Sequence, residues 1–136
     1  MIQVLDTSVA VKWFCPEDET TTTVAVEILE QIKHDPKVFA VPDLFYSECL
    51  HVLYRKLEHD ISKVAWAMDR LFRLSLQPLH FDSQVACRIA KEMNNGLSGY
   101  DATYYAFAAL LKGHWLTFDQ EAGSKVSNPR YIKLLI

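Results

Sequence analysis

The sequence has few cysteines, and none of them belongs to a recognisable pair. Its three cysteines, Cys15, Cys49 and Cys87, are odd in number and far apart, and no C-x-x-C motif is present. This pattern favours neither a disulfide framework nor a zinc knuckle, because both need paired thiols at short, defined spacings. A reducing compartment is the simplest environment for such a chain, so we expect a cytoplasmic protein.

A long apolar run and an excess of positive charge are also missing. The longest uncharged apolar stretch, around residues 104–111, is far shorter than the roughly 20 residues that span a bilayer. No basic region followed by a long apolar stretch opens the chain, so we predict neither a signal peptide nor a membrane partner. The formal net charge of −3 argues against bulk-charge binding of nucleic acid. A nucleic-acid partner therefore needs a local patch or the help of a metal ion.

What is present is the composition of one soluble domain. The chain has 136 residues, of which 50% are hydrophobic and 23% charged. That length gives room for one substantial core but not for two. No repeat, low-complexity tract or linker interrupts the sequence, so we predict a single domain over residues 1–136.

Short β-rich runs alternate with helical patterns along the chain. Strands are predicted at residues 2–5, 37–41, 78–81 and 114–119, with a fifth candidate in 131–136. Helices are predicted over Thr7–Phe14, Thr20–Lys33, Asp43 to about Leu57, Ser62 to about Leu76, Asp82 to a left-handed stop at Gly96, and Ser98 to Gly113. This alternation predicts a three-layer α/β/α fold around a mostly parallel sheet of four or five strands.

Two acids follow predicted strands directly. Asp6 ends the buried run of residues 2–5, and Asp119 follows residues 115–118. Ligands of such sheets bind beyond the carboxyl ends of the strands, which favours a site at these positions. A helix N-cap explains Asp6 equally well when it is taken alone, and Asp119 also fits an ordinary turn position.

Two further acids lie near predicted helix starts. Periodicity places Glu48 on a polar stripe of its helix with His51 and Arg55, which alone favours a solvated surface acid. Asp101 opens the segment "SGYDATYYAFAALLKG", whose apolar residues cover almost every angle and predict a buried helix. Ser98 and Asp101 also fit a capping box, and that role is compatible with a functional one.

If the sheet is wound as predicted, these four acids meet at one edge. Four neighbouring carboxylates do not all ionise without a counter-charge. A hard divalent cation bound by oxygen ligands provides one, and Mg²⁺ or Mn²⁺ suits a site of carboxylates and water. Such an ion activates water and neutralises charge on a phosphodiester, which is the chemistry of carboxylate nucleases.

Four segments together resemble the PIN-domain nucleases, and most closely the small VapC-type toxins of toxin–antitoxin pairs. The segments are "VLDTSVAVKWF", "VPDLFYSECLHVLYRK", "LSGYDATYYAFAALLKG" and "WLTFDQE", in the family's order and at family-like spacing. The resemblance implies a Mg²⁺- or Mn²⁺-dependent endoribonuclease. Its metal ligands would be Asp6, Glu48 and Asp101, and Asp119 would complete the acidic pocket.

The resemblance also implies supporting residues and partners. Ser8 and Thr117 would be nearby hydroxyls that orient a ligand or water. A homodimer is expected, together with a small VapB-like antitoxin that neutralises the toxin. The family often has a small amide three residues after the second acid, where this chain has His51, so the role of His51 is open.

Residues that contact the RNA are less well defined by the sequence. Lys12, Arg55 and Lys56 are candidates for a basic rim that meets phosphates, although each is equally typical of a solvated surface. Tyr100 is a candidate for stacking on a base, whereas Trp13 fits core packing better.

Two other classes of protein with an acid after the first strand fit the sequence less well. A haloacid-dehalogenase-type phosphatase needs a second acid where Ser8 stands, and a receiver domain needs adjacent acids near the first strand. An RNA-processing nuclease without an antitoxin and a non-catalytic PIN-scaffold binding module remain as alternatives. The RNA target, its sequence preference and the number of metal ions are not readable from the residues.

Overall fold

A five-stranded, entirely parallel sheet forms the centre of the molecule, in the order β3-β2-β1-β4-β5. The computed structural model describes residues 1–136. The strands are β1 (Gln3–Leu5), β2 (Phe39–Pro42), β3 (Gln77–Leu79), β4 (His114–Thr117) and β5 (Ile132–Leu134). The α-helices are α1 (Thr7–Phe14), α2 (Glu19–His34), α3 (Asp43–Lys56), α4 (Ile61–Phe72), α5 (Ser83–Asn94), α6 (Gly99–Leu110) and α7 (Gln120–Lys125). The predicted α/β fold with its parallel sheet is confirmed.

The central strands are buried because helices cover the sheet. Val4 and Leu5 of β1 and Trp115 of β4 are fully buried, and residues 39–42 of β2 are buried throughout. Continuous apolar strands of this kind are typical of parallel sheets covered on both faces. No helix of the chain is both long enough and apolar enough to cross a membrane.

Side-chain caps set the starts of most helices. The predicted caps at Asp82 and Ser98 are confirmed, since they accept hydrogen bonds from the backbone N–H groups of Val85 and Asp101. The prediction that Ser62 caps α4 was wrong. The carboxylate of Asp60 accepts from the Lys63 N–H at 3.2 Å, so the helix begins two residues earlier than expected.

Element ends also differ from the prediction in places. Helix α4 ends at Phe72 rather than near Leu76, and Ser75 then adopts a left-handed backbone with φ 58°. Strand β3 ends at Leu79 because its partner β2 ends at Pro42, where the ladder of pairs stops. The prediction missed α7, whose six residues lack an apolar repeat long enough to recognise.

Two glycines behave differently at the ends of helices. Gly96 has φ +111° and supplies the predicted left-handed stop after α5. Gly113 does not close α6 in this way, because the helix ends at Leu110 and Lys112 takes the left-handed conformation. Gly113 is needed for close packing instead, since a Cβ atom there would collide with the backbone oxygen of Ile2.

Candidate active site

Asp6 lies at the carboxyl end of the central strand β1 and is held by uncharged donors. Its Oδ2 accepts from the Ser8 N–H at 3.1 Å and from the Thr117 hydroxyl at 3.0 Å, and its Oδ1 accepts from the Trp115 indole at 3.1 Å. Only 8% of the residue is exposed. Asp6 therefore both caps α1 and presents a buried carboxylate at the sheet edge, so the two interpretations of this residue are compatible.

The adjacent strand β4 supplies two of these donors because of its two-residue side-chain period. Trp115 and Thr117 point to the same face, and both are fully buried against Asp6. The Asp6 N–H also bonds the Leu116 oxygen at 3.1 Å, which aligns the ends of the two strands.

Glu48 is not the solvated acid that periodicity alone suggested. It is partly buried on α3, and its Oε1 accepts from the Tyr104 hydroxyl at 2.7 Å. The same hydroxyl lies 3.2 Å from the Thr7 Oγ1 at the start of α1. The side chain of Glu48 is thus held by Tyr104 of α6, which is itself linked to α1, whereas a surface acid would be free.

Asp101 and Asp119 lie in the first turn of α6 and at the N-cap of α7. The Asp101 N–H donates to the Ser98 Oγ at 3.2 Å, and the Asp119 Oδ1 accepts from the Ala122 N–H at 3.0 Å. The Thr117 Oγ1, which donates to Asp6, accepts from the Asp119 N–H at 3.1 Å. One threonine hydroxyl therefore links the backbone of Asp119 to the carboxylate of Asp6.

Ser8 completes the predicted supporting pair of hydroxyls. Its Oγ accepts from the Phe118 N–H at 3.2 Å and lies 3.5 Å from the Thr117 Oγ1. These contacts join the turn after β1 to the turn after β4, the two turns that carry Asp6 and Asp119. In this structure the two hydroxyls hold together the turns that carry these acids.

Four carboxylates lie at this edge of the sheet, and the charge of Lys125 only partly offsets that of Asp101. Burial raises the pKa of Asp6, and the surrounding hydrogen bonds oppose that rise. Burial also raises the pKa of Glu48, with the charges of Asp6 and Asp101 adding to the effect. The pKa of Asp101 is raised by burial and then by the charge of Asp119.

No lysine, arginine or histidine forms an ion pair with any of these four acids. Asp6 is buried, Glu48 and Asp101 are partly buried, and Asp119 is exposed. For the first three, the charged form is costly without a cationic partner. Their oxygen donors are those that Mg²⁺ and Mn²⁺ prefer, so the donor set fits such an ion. No three acidic, histidine or cysteine side chains are yet arranged as a group that could hold a metal ion. The fold thus places the four acids at one edge of the sheet without arranging their side chains as a ready-made metal site.

The predicted substrate-binding residues lie on the surface. His51 and Arg55 are exposed on α3, and Tyr100 is 62% exposed beside Asp101. None of the three hydrogen-bonds an acid of the site, so their roles stay predictions.

Two residues of the proposed basic rim, Lys12 and Lys56, already contact other side chains of the protein. The Nζ of Lys12 lies 4.8 Å from the centroid of the Phe118 ring. Lys56 bonds Glu17 at 2.7 Å, and this bond is the main reason that the pKa of Glu17 is lowered. Trp13 is partly buried and donates to the Ala25 carbonyl at 2.7 Å, in agreement with a packing role.

Sequence reasoning missed two residues that contact the acids, Tyr104 and Trp115. Tyr104 looked like one more apolar residue of a buried helix, yet its spacing of three from Asp101 places it one turn along the same face. Trp115 shares a strand face with Thr117, which was already a candidate. Both spacings were visible in the sequence, but the acceptors of these two donors come from distant segments.

Comparison with solved structures shows the same fold in several proteins. The structure of VapBC2 from Rickettsia felis bound to a DNA fragment from their promoter matches with a TM-score of 0.73 at 12% identity, covering 98% of both chains. A toxin-antitoxin complex from Klebsiella pneumoniae gives 0.65 at 16% identity, again over 98% of both chains. FitAcB from Neisseria gonorrhoeae gives 0.66 at 19% identity, over 94% of this chain and 98% of the other. No curated protein sequence matches the chain.

The PIN domain family matches residues 3–126, which include all four acids and the whole sheet except β5. This chain therefore belongs to the PIN domain family.

Proposed function

We propose that this protein is a metal-dependent endoribonuclease that hydrolyses RNA phosphodiester bonds, and that it is the toxin of a toxin–antitoxin pair. The observation that carries the proposal is that Asp6, Glu48, Asp101 and Asp119 all lie at the carboxyl edge of the sheet and form no ion pair. Members of the PIN domain family are typically nucleases. The similar structures from Klebsiella pneumoniae and Rickettsia felis, described as a toxin-antitoxin complex and as VapBC2, support the toxin assignment.

Asp6, Glu48 and Asp101 would hold Mg²⁺ or Mn²⁺, with Asp119 completing the acidic site. A bound ion of this kind neutralises phosphate charge and lowers the pKa of a water molecule. The residues of the chain provide position. Three neutral donors fix Asp6 at the end of β1, and Tyr104 fixes Glu48. Rigid placement of this kind is the main contribution of a protein scaffold to phosphodiester hydrolysis.

The chain contains no arrangement that calls for a covalent nucleophile. Ser8 and Thr117 are engaged with Phe118, Asp119 and Asp6, and no histidine bonds either hydroxyl. Direct attack by water on the RNA phosphodiester, in line with the leaving 3′-oxygen, fits these residues best. Arg55 and Tyr100, both exposed, are proposed to contact a phosphate and a base of the bound strand.

The function is tested with purified protein and a labelled single-stranded RNA. We expect cleavage in Mg²⁺, complete loss in EDTA, and recovery when excess Mg²⁺ or Mn²⁺ is added back. Mapping cleavage sites on total RNA after controlled expression would then identify the target. Cleavage that continues in EDTA would contradict the metal-dependent mechanism, and binding of RNA without cleavage would favour the non-catalytic alternative.

The proposed antitoxin separates a toxin from an RNA-processing nuclease. A groove formed by Trp13, Phe14 and Trp66 presents an apolar surface to such a partner. The cations at its border, Lys33, Arg70 and Arg73, are paired with Glu30 and Asp69. Co-expression with a short neighbouring reading frame should give a stable complex and suppress RNA cleavage. A functional nuclease with no such neighbour would favour the processing role.

We assign the proposed homodimer interface to a surface on α3 and α4. Tyr46, Leu50, Tyr54, Ile61, Val64, Met68 and Phe72 line a groove with no charged residue. Ile61 is 75% and Phe72 59% exposed, and exposed apolar patches of this kind mark interaction sites. An uncharged apolar surface suits a second copy related by two-fold symmetry.

Phe72→Glu is expected to convert the dimer to a monomer, because it places a charge in the middle of this apolar surface. Light scattering during gel filtration measures the change. Phe81→Glu is the matched control, since Phe81 is similarly exposed, at 62%, but does not line the groove. A dimer that survives Phe72→Glu would place the interface elsewhere.

A further inference from the structure

Two buried aromatic side chains adjoin the acids of the candidate site. The rings of Tyr104 on α6 and Trp115 on β4 are almost parallel, at 4°, with centroids 6.0 Å apart. Tyr104 is 1% exposed and Trp115 is fully buried. Offset parallel rings at this distance attract each other beyond simple burial, so the two side chains form one packed unit, here called the aromatic pair.

Each member of the aromatic pair donates to a different acid. The Tyr104 hydroxyl donates to Glu48 at 2.7 Å, and the Trp115 indole N–H donates to Asp6 at 3.1 Å. The pair therefore connects a carboxylate of α3 to a carboxylate of β1 through two stacked rings. Tyr104 also lies one helical turn after Asp101, so α6 carries both this donor and a third acid.

We propose that Tyr104 and Trp115 are positioning residues that set the separation of Glu48 and Asp6 for binding a divalent cation. This inference rests on the proposed metal-dependent function. The donors are neutral, so they orient the carboxylates and leave the negative charge available. A lysine or arginine in their place would orient the same oxygens but would neutralise the charge that attracts a cation.

Core packing alone does not explain these two residues. Phenylalanine would fill the space of the Tyr104 ring, and much of that of Trp115, without a polar group that needs a partner when buried. Tyr105, the next residue of α6, shows the purely structural alternative. Its buried hydroxyl donates to the Asn128 backbone oxygen at 2.8 Å and accepts from the Asn128 N–H at 2.9 Å. It bonds none of the four acids, whereas Tyr104 and Trp115 each bond one.

The variant Tyr104→Phe keeps the ring and its stack and removes only the hydroxyl. We expect the dissociation constant for Mn²⁺, measured by isothermal titration calorimetry, to rise about 10-fold or more, the usual effect of losing a partner that orients a ligand. Cleavage of RNA should need correspondingly more Mn²⁺ and should recover in large part when the ion is saturating. Tyr105→Phe is the matched control, since it removes an equally buried hydroxyl and should leave the Mn²⁺ affinity unchanged.

Trp115→Phe tests the other half of the pair and keeps a ring for stacking. It should also weaken Mn²⁺ binding, by a factor similar to that of Tyr104→Phe. Circular dichroism and thermal melting confirm that each variant is folded, and one folded variant of the two is sufficient for the test. A folded Tyr104→Phe or Trp115→Phe protein with wild-type Mn²⁺ affinity would overturn the inference.

The outcomes also separate this inference from the proposed function. Weakened Mn²⁺ binding in the two variants, with no RNA cleavage by the wild-type protein, would leave the positioning role intact and remove the ribonuclease. Metal-dependent cleavage by the wild-type protein, with unchanged Mn²⁺ affinity in the variants, would remove only the positioning role. A wild-type protein that binds no Mn²⁺ would overturn both.

Discussion

Asp101→Asn is expected to abolish Mg²⁺-dependent RNA cleavage while the protein stays folded. Asp101 is partly buried, and its pKa is raised by burial and by the charge of Asp119. Asparagine keeps the size and one oxygen but removes the charge that a divalent cation needs. We expect the cleavage rate to fall by at least roughly 100-fold, the scale seen when one electrostatic group is removed from a reacting centre. The same variant should relieve any growth arrest caused by expression.

Asp43→Asn provides the matched control for this experiment. Asp43 also lies in the first turn of a helix, is exposed and forms no ion pair. The change in net charge is identical, so a general effect of charge on RNA binding would appear in both variants. An Asp101→Asn protein that cuts RNA at the wild-type rate would contradict the assignment of this acid.

Mn²⁺ is expected to stabilise the wild-type protein strongly, and Glu48→Gln is expected to remove that effect. An ion that binds only the folded state adds about 2.7 kcal/mol at 100 times its dissociation constant. For a domain of this size that corresponds to a rise in Tm of roughly 10 °C. Glutamine retains an acceptor for the Tyr104 hydroxyl but no charge, so the local hydrogen bond survives while the metal affinity falls.

When no metal is present, Glu48→Gln should instead raise the stability of the folded protein. The pKa of Glu48 in the folded protein is raised above its ordinary value of 4.5, chiefly by burial. The folded state therefore holds this proton more tightly than the unfolded state does. Stability is lost as the pH rises from about 4.5 through the raised folded pKa, and the loss is complete above it.

At pH 7 in EDTA, Glu48→Gln should consequently melt at a higher temperature than the wild type. The rise should be only about 1–3 °C, because Glu48 is partly exposed and solvent screens its charge. Differential scanning fluorimetry with and without Mn²⁺ measures both effects. A variant that melts lower than the wild type in EDTA, or that keeps the full Mn²⁺ shift, would contradict this role of Glu48.

The positions of Asp6, Asp101 and Asp119 followed from local patterns. Asp6 and Asp119 end predicted strands, and the carboxyl ends of parallel strands meet at one edge. Asp101 opens a helix whose apolar residues cover all sides, and residues 102–109 of that helix are buried as expected. Strand ends and helix starts are determined by nearby residues, so one sequence was sufficient to place them.

The environment of Glu48 was beyond the reach of periodicity. Its burial and its bond to Tyr104 link residues 56 positions apart, and no local pattern encodes such a contact. Trp115 and Asp6 are 109 positions apart and illustrate the same limit. The start of α4 was predicted wrongly for a different reason. Asp60 and Ser62 are both good N-cap residues, and they lie only two positions apart.

We propose that Asp6, Glu48 and Asp101 bind a divalent cation at the carboxyl edge of the sheet. A crystal structure with Mn²⁺, with the ion located by its anomalous scattering, tests this claim most directly. We expect a strong anomalous difference peak for an ion that is coordinated by oxygens of these three carboxylates, with Asp119 nearby. A site occupied elsewhere, or crystals soaked in Mn²⁺ that show no peak among these acids, would contradict it.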